Sequence, residues 1–205
     1  MNRKEKNIEH YFTERPKSKA RYGLIRACLH GRTLDFLTAS GVFSKKRVDL
    51  GTRLLVESMV LPEKGCVLDV GCGYGVAGIA AAALNPCLRV IMVDVNVRAV
   101  RLARQNIELN HVWDVEVRRG HLYESVKDLM FDCVISNPPV SAGMKTVEAI
   151  IVEAPSHMTS KATLQMVVRS KIGGKRLQSI FEKAFENVEV SARGSGYRVL
   201  MSRKQ

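Results

Sequence analysis

A chain of 205 residues, 46% of them hydrophobic, is long enough to bury a full core within one domain. No apolar run approaches the ~18 residues that read as a membrane helix, and no signal-peptide pattern is visible, so a soluble, cytoplasmic protein is expected. The net charge of +12 points to an anionic partner. That charge is uneven. Residues 1–53 hold 13 Lys/Arg against 5 Asp/Glu, residues 54–160 hold 9 against 12, and residues 161–205 hold 10 against 3. Basic flanks around a slightly acidic centre suit an enzyme with a nucleic-acid substrate. Cys28, Cys66, Cys72, Cys87 and Cys133 are odd in number and lack a Cys-x-x-Cys pair, which argues for reduced thiols and against a zinc site.

Residues 1–21 are polar and basic and read as an arm, whose His10-Tyr11-Phe12 is expected to pack on the domain, with stacking on RNA as the alternative. Residues 22–30 and 33–38 carry apolar and β-branched side chains around His30-Gly31-Arg32, the pattern of a β-hairpin. Thr38 to Ser44 is a loop, and Asp49-Leu-Gly-Thr52 leads into a helix through Val60. After a turn at Pro62–Gly65, Cys66 to Val70 is a buried strand, and Val76 to Leu84 an Ala-rich helix. Leu88 to Val93 is a second strand, and Asn96 caps a helix running to Asn110. Its Arg98, Arg101 and Arg104 share what reads as a solvated face. Trp113–Arg119, Phe131–Ser136 and Leu164–Arg169 are further strands, with helices at Lys145–His157 and Lys175–Phe185. Val188–Ala192 and Tyr197–Ser202 close the chain as a hairpin. Strands alternating with helices before a final hairpin predict a mostly parallel α/β sheet with one antiparallel strand.

Two stretches carry chemistry. Gly71, Gly73 and Gly75 follow the first strand of the α/β unit in Gly-x-Gly-x-Gly spacing, not the Gly-x-Gly-x-x-Gly that seats a pyrophosphate on a helix N-terminus. Asp69 stands just before them, and an acid there repels phosphate and suits an ammonium group. The expected ligand is a nucleoside carrying an amino acid. Asp94, at the end of the next strand, is placed to accept hydrogen bonds from both ribose hydroxyls. The second stretch is Asn137-Pro138-Pro139, at a strand end. The prolines remove backbone donors, leaving the Asn137 amide oxygen and the Pro138 carbonyl as rigid acceptors. A conjugated amine needs such acceptors to hold its nitrogen and aim its lone pair. An Asp at position 137 is expected to retain partial activity, since it still accepts.

Asp69-Val-Gly-Cys72-Gly-Tyr-Gly75 resembles the first motif of class I S-adenosylmethionine methyltransferases, and Asn137-Pro-Pro139 resembles motif IV of the amino-methyltransferases. Ser40-Gly-Val-Phe-Ser-Lys-Lys46, Val48-Asp-Leu-Gly-Thr-Arg-Leu-Leu55, Val93-Asp-Val95-Asn-Val-Arg-Ala99, Ala142-Gly143 and Gly196-Tyr-Arg-Val199 extend the resemblance over nearly the whole chain, to the methyltransferase small-domain family. That family includes the catalytic half of ribosomal-RNA guanine-N2 methyltransferases. The resemblance implies a Rossmann-like seven-stranded sheet, S-adenosylmethionine as cofactor, no metal, and Asn137, Pro138 and Pro139 as the catalytic turn. It implies cofactor contacts from Asp69, Gly71, Cys72, Gly73, Gly75, Asp94, Val95, His121 and Asn137. His121 stands where an acid near adenine is usual, and Glu116 or Asp114 are the alternatives. Val140 replaces the aromatic that often follows the prolines, so Phe43 is the candidate for covering the base. Lys45, Lys46, Val140 and Lys145 complete the expected substrate side.

Residues 1–48 are read as arm and hairpin extension, and 49–205 as the methyltransferase domain. The expected partner is RNA, as ribosomal RNA or a ribosomal subunit, for a monomer or weak homodimer. Guanine-N2 is favoured over cytosine-N4. A protein glutamine methyltransferase usually has Tyr at position 140. A DNA methyltransferase lacks room here for a recognition domain. A non-catalytic scaffold would not need Asp69, Asp94 and Asn137 intact.

Overall fold

The computed structural model describes residues 19–138, 143–171 and 174–205. Strands β1 (Tyr22–Leu29) and β2 (Arg32–Ala39) form an antiparallel hairpin of their own, turned at His30-Gly31, where both residues have positive φ (46° and 76°). Helix α1 (Leu50–Ser58) then leads to the α/β unit: β3 (Gly65–Val70), α2 (Val76–Leu84), β4 (Leu88–Asp94), α3 (Val97–Leu109), β5 (Val115–Arg119), β6 (Phe131–Ser136), α4 (Met144–Glu153), β7 (Met158–Arg169), α5 (Gly174–Phe185), β8 (Glu189–Gly194) and β9 (Tyr197–Arg203). The seven-stranded sheet has the order β5-β4-β3-β6-β7-β9-β8, and only β9 runs antiparallel to its neighbours. The order reverses between β3 and β6. In open α/β sheets that reversal opens a crevice at the strand C-termini, where ligands bind.

The central strands are apolar runs because both faces are covered. From β3, Val67 joins the cluster with α1, α2, α3 and the hairpin, while Leu68 and Val70 join the cluster with α4 and α5. Buried Gln165 of β7 ties down the segment leaving α1. Its Oε1 accepts from Val60 N at 2.8 Å, and its Nε2 donates to Val60 O at 2.7 Å. The hairpin is fastened by two asparagines one turn apart, Asn106 in the last turns of α3 and Asn110 at its C-cap. Asn106 accepts from Leu37 N (2.7 Å) and donates to Leu37 O (3.0 Å), and Asn110 accepts from Asp35 N (2.9 Å) and donates to Asp35 O (2.7 Å). These amides substitute for a neighbouring strand along the edge of β2. Asn106 also donates to Tyr74 O at 2.8 Å, so the hairpin and the glycine loop share one buried side chain.

Several expectations shift. Arg98 is not simply solvated, because its Nη1 donates to Ser40 O, while Arg104 donates to Val117 O at 3.1 Å. Among the described residues, Arg101 of the three arginines is both exposed and without such a tie. The helix expected to reach His157 ends at Glu153, where Pro155 cannot continue it and a short 3₁₀ turn follows. Strand β7 starts at Met158, not Leu164; Thr159, Ser160 and Lys161 follow one another as polar residues, so no apolar run marks its first half. Trp113 is exposed and precedes β5. His10-Tyr11-Phe12 lie outside the described residues.

Candidate active site

A cavity of about 500 Å³ opens at the C-terminal ends of β3, β4 and β6, within the range of small-molecule sites. It is lined by Asp69, Gly71, Cys72, Gly73, Asp94, Val95, His121, Asn137 and Pro138, and by Phe43 at its mouth.

The glycine loop explains its own composition. Gly73 has φ +58°, and a Cβ placed on it would meet nothing within 4 Å, so the backbone there is left bare. Gly75 has φ +96° and caps α2 without a side chain. The capping work passes to Asp69, whose Oδ2 accepts from Gly78 N at 2.9 Å. Asp69 is buried at 2% exposure, and burial pushes its pKa up to about 7, opposed by the Gly78 bond and reinforced by nearby Asp94. Its Oδ1 accepts no hydrogen bond among the described residues. Asp94 accepts from Gly73 N and Asn96 N, each at 2.8 Å, and burial raises its pKa against those bonds. One carboxylate therefore joins the glycine loop to the start of α3. Cys72 lines the cavity, and burial pushes its thiol well up, which disfavours the thiolate.

Asn137, half-buried at the exit of β6, turns its amide nitrogen toward α1. Nδ2 donates to Thr52 Oγ1 at 2.7 Å and to Asp49 Oδ2 at 3.2 Å. Pro138 is buried beside it. Phe43 is 36% exposed, neither core nor fully free, and Ser44 next to it accepts from the Tyr74 hydroxyl at 3.3 Å. Lys45 and Lys46 are exposed just beyond the lining, and Lys145 is exposed on the first turn of α4 without lining the cavity. His121 is at the rim. Glu116 points elsewhere, held by Arg118 at 2.7 Å, and neither Glu116 nor Asp114 lines the cavity. Pro139 and Val140 lie outside the described residues. Sequence reasoning gave no role to Asp49, Thr52, Arg169 or Tyr197, all of which line the cavity. The Arg169 guanidinium sits 5.5 Å from the Tyr197 ring centroid at the end of β7.

The order of this sheet, with its single antiparallel strand next to the edge and its cavity beside the glycine loop, defines a methyltransferase fold. The chain belongs to the methyltransferase small-domain family, whose model matches residues 33–201. It is 36% identical to YbxB of Bacillus subtilis, over 96% of this chain and 98% of that one. It is 35% identical to ribosomal RNA small subunit methyltransferase C of Aeromonas hydrophila, over 86% of this chain but 51% of that one. The chain thus spans about half the length of the methyltransferase C relatives. Among solved structures, the T. thermophilus 16S rRNA N2 G1207 methyltransferase RsmC, in complex with AdoMet and guanosine, shares the fold. Its TM-score is 0.82 at 22% identity, covering 93% of this chain and 52% of that one.

The family's cofactor, S-adenosylmethionine, fits the residues present. The bare backbone at Gly73, a carboxylate oxygen of Asp69 without a partner among the described residues, and the Asp94 carboxylate match an amino-acid-bearing nucleoside. Among the described residues no cluster could hold a metal, and no helix is long and apolar enough to cross a membrane.

Proposed function

We propose that this chain is an S-adenosylmethionine-dependent methyltransferase that modifies an exocyclic amine of a base in ribosomal RNA, guanine-N2 ahead of cytosine-N4. The observation that carries this reading is that Asn137 and Pro138 share one cavity with Asp69, Gly73 and Asp94. Amine acceptors and cofactor residues thus border the same space. The names of the methyltransferase C relatives support ribosomal RNA as the substrate. Residues 49–205 form the catalytic domain in this reading, and residues 1–48 the arm and β-hairpin extension.

When bound, S-adenosylmethionine supplies a methyl group already activated as a sulfonium. Asn137 Oδ1 and the Pro138 carbonyl accept the two N–H bonds of the amine, which fixes the nitrogen and draws its lone pair out of conjugation. Asp94 accepts from the ribose diol, and Asp69 faces the ammonium group. Phe43 covers the base. An amine in a paired helix is out of reach, so the target base is unpaired or flipped out.

Two measurements bear on the binding steps. Asp69 must be ionised to face an ammonium, yet its pKa in the free protein is about 7, above the usual 3.8. Binding therefore releases a proton at acidic pH. Cofactor affinity is expected to be flat above pH 7 and to weaken by up to about tenfold per unit below it, and Asp69→Asn should abolish that slope. Titration calorimetry between pH 5 and 8 reads both. A pH-independent affinity in the wild type removes Asp69 from the ammonium.

For RNA, exposed Lys45, Lys46 and Arg47 lie next to the cavity mouth. Affinity should fall with salt at a log–log slope near ~0.7 per neutralised phosphate on a single strand, and reversing the three charges should flatten it. A salt-independent affinity excludes this loop as docking surface. The reading as a whole is tested by nucleoside mass analysis of RNA from a deletion strain against its parent. Loss of a methylated guanine or cytosine supports it. Unchanged RNA with a methyl group lost from a protein overturns it.

A further inference from the structure

The Asp49-x-Gly-Thr52 stretch does more than start a helix. Asp49 Oδ2 accepts from Gly51 N (2.8 Å) and Thr52 N (3.2 Å), which is N-cap work. The same oxygen accepts from Asn137 Nδ2, and so does Thr52 Oγ1. The Tyr197 hydroxyl reaches Asp49 Oδ1 at 3.5 Å, and its ring lies flush on Gly51, where a Cβ would come within 2.9 Å of it. The start of α1 is thus clamped between β9 and the Asn137 turn.

An asparagine amide has nearly the same shape with oxygen and nitrogen exchanged, so its surroundings decide which end faces a ligand. A carboxylate can only accept. Asp49 therefore fixes the NH₂ end of Asn137 against α1, and Thr52 supplies the shorter bond to that same nitrogen. The end left for the cavity is Oδ1, which accepts no hydrogen bond among the described residues.

We propose that Asp49 and Thr52 are positioning residues that lock the Asn137 amide with its oxygen toward the cavity, so that the site selects a nitrogen still carrying hydrogen. With the amide reversed, an NH₂ group would face the incoming amine, donor against donor. The catalytic consequence rests on the amine-methylation reading, whereas the lock is a property of the free protein.

The test separates cap from lock. Asp49→Ser keeps a helix-capping oxygen but is too short to reach Asn137. Thr52→Val keeps the shape and loses the acceptor. In the double variant, single-turnover methyl transfer to RNA should fall on the order of 10²-fold, the scale of a misplaced reacting group. Cofactor affinity and Tm should stay near wild type. Asp49→Asn, which keeps an oxygen in the same position, should recover most of the rate. The side-chain ¹⁵N–¹H₂ signals of Asn137 in the free protein supply the second readout. They should exchange slowly with solvent in the wild type and quickly in the double variant. Unchanged exchange overturns the lock. Changed exchange with an unchanged transfer rate overturns its role in positioning. A wild type that transfers no methyl to RNA sinks the amine reading instead, and the exchange data still decide the lock.

Discussion

Asn137→Ala is expected to slow methyl transfer on the order of 10²–10³-fold while leaving the fold and cofactor affinity nearly intact, the scale of losing one preorganised polar contact. Truncation removes the side-chain oxygen that Asn137 offers the amine at the exit of β6. It also leaves Thr52 Oγ1 and Asp49 Oδ2 without their shared donor. Both can turn to water in a half-open cavity, so stability changes little. Single-turnover transfer with cofactor saturating is the measurement. A wild-type rate for Asn137→Ala makes the Asn-Pro-Pro turn structural only.

The sequence suggests that Asn137→Asp would keep partial activity, because a carboxylate still accepts. The geometry argues the reverse. The new oxygen would sit about where Nδ2 now lies, 3.2 Å from Asp49 Oδ2. Two carboxylates at that range cannot both stay ionised without cost. Asn137→Asp should therefore lose activity nearly as fully as Asn137→Ala, and it should lose stability as well.

Asp94→Ala is expected to act on the cofactor instead. Each hydrogen bond to a charged group contributes about 1.5–3 kcal/mol, and the carboxylate accepts from Gly73 and Asn96 before any ligand arrives. Removing it takes the acceptor from the ribose diol and unfastens the glycine loop from the α3 start. Cofactor affinity should fall at least about tenfold, and unlike Asn137→Ala this variant should also lower Tm. Calorimetry showing unchanged affinity would take Asp94 out of the site.

What could be read from the chain follows the range of the interactions. The strand, glycine turn and helix around Asp69 were legible because a doubly buried strand is a continuous apolar run, and because glycine spacing is local. Strand β6, with Asn137 at its exit, was legible for the same reason. The first half of β7 was not, because Thr159, Ser160 and Lys161 are polar and the pairing with β6 is irregular between Met158 and Thr163. Arg98 reads as solvent-facing until the hairpin folds over it and supplies the Ser40 carbonyl. Asn106 and Asn110 look like ordinary helix polar residues, since nothing local announces that they stand in for a strand. Asp49 and Thr52 carry a visible N-cap pattern. Their partner Asn137 lies 88 and 85 residues further on, a pairing that only the assembled sheet creates.

In the proposed function, the cavity at the ends of β3, β4 and β6 directs a methyl group to an amine of an RNA base. Its most direct test is transfer of labelled methyl from S-adenosylmethionine to unmodified small-subunit ribosomal RNA by the purified protein, followed by digestion to nucleosides and mass analysis. One labelled product, N2-methylguanosine, is expected, and it is lost with Asn137→Ala. Label on a ribose 2′-oxygen or a ring carbon, or RNA left unlabelled while ribosomal protein takes the methyl group, would contradict it.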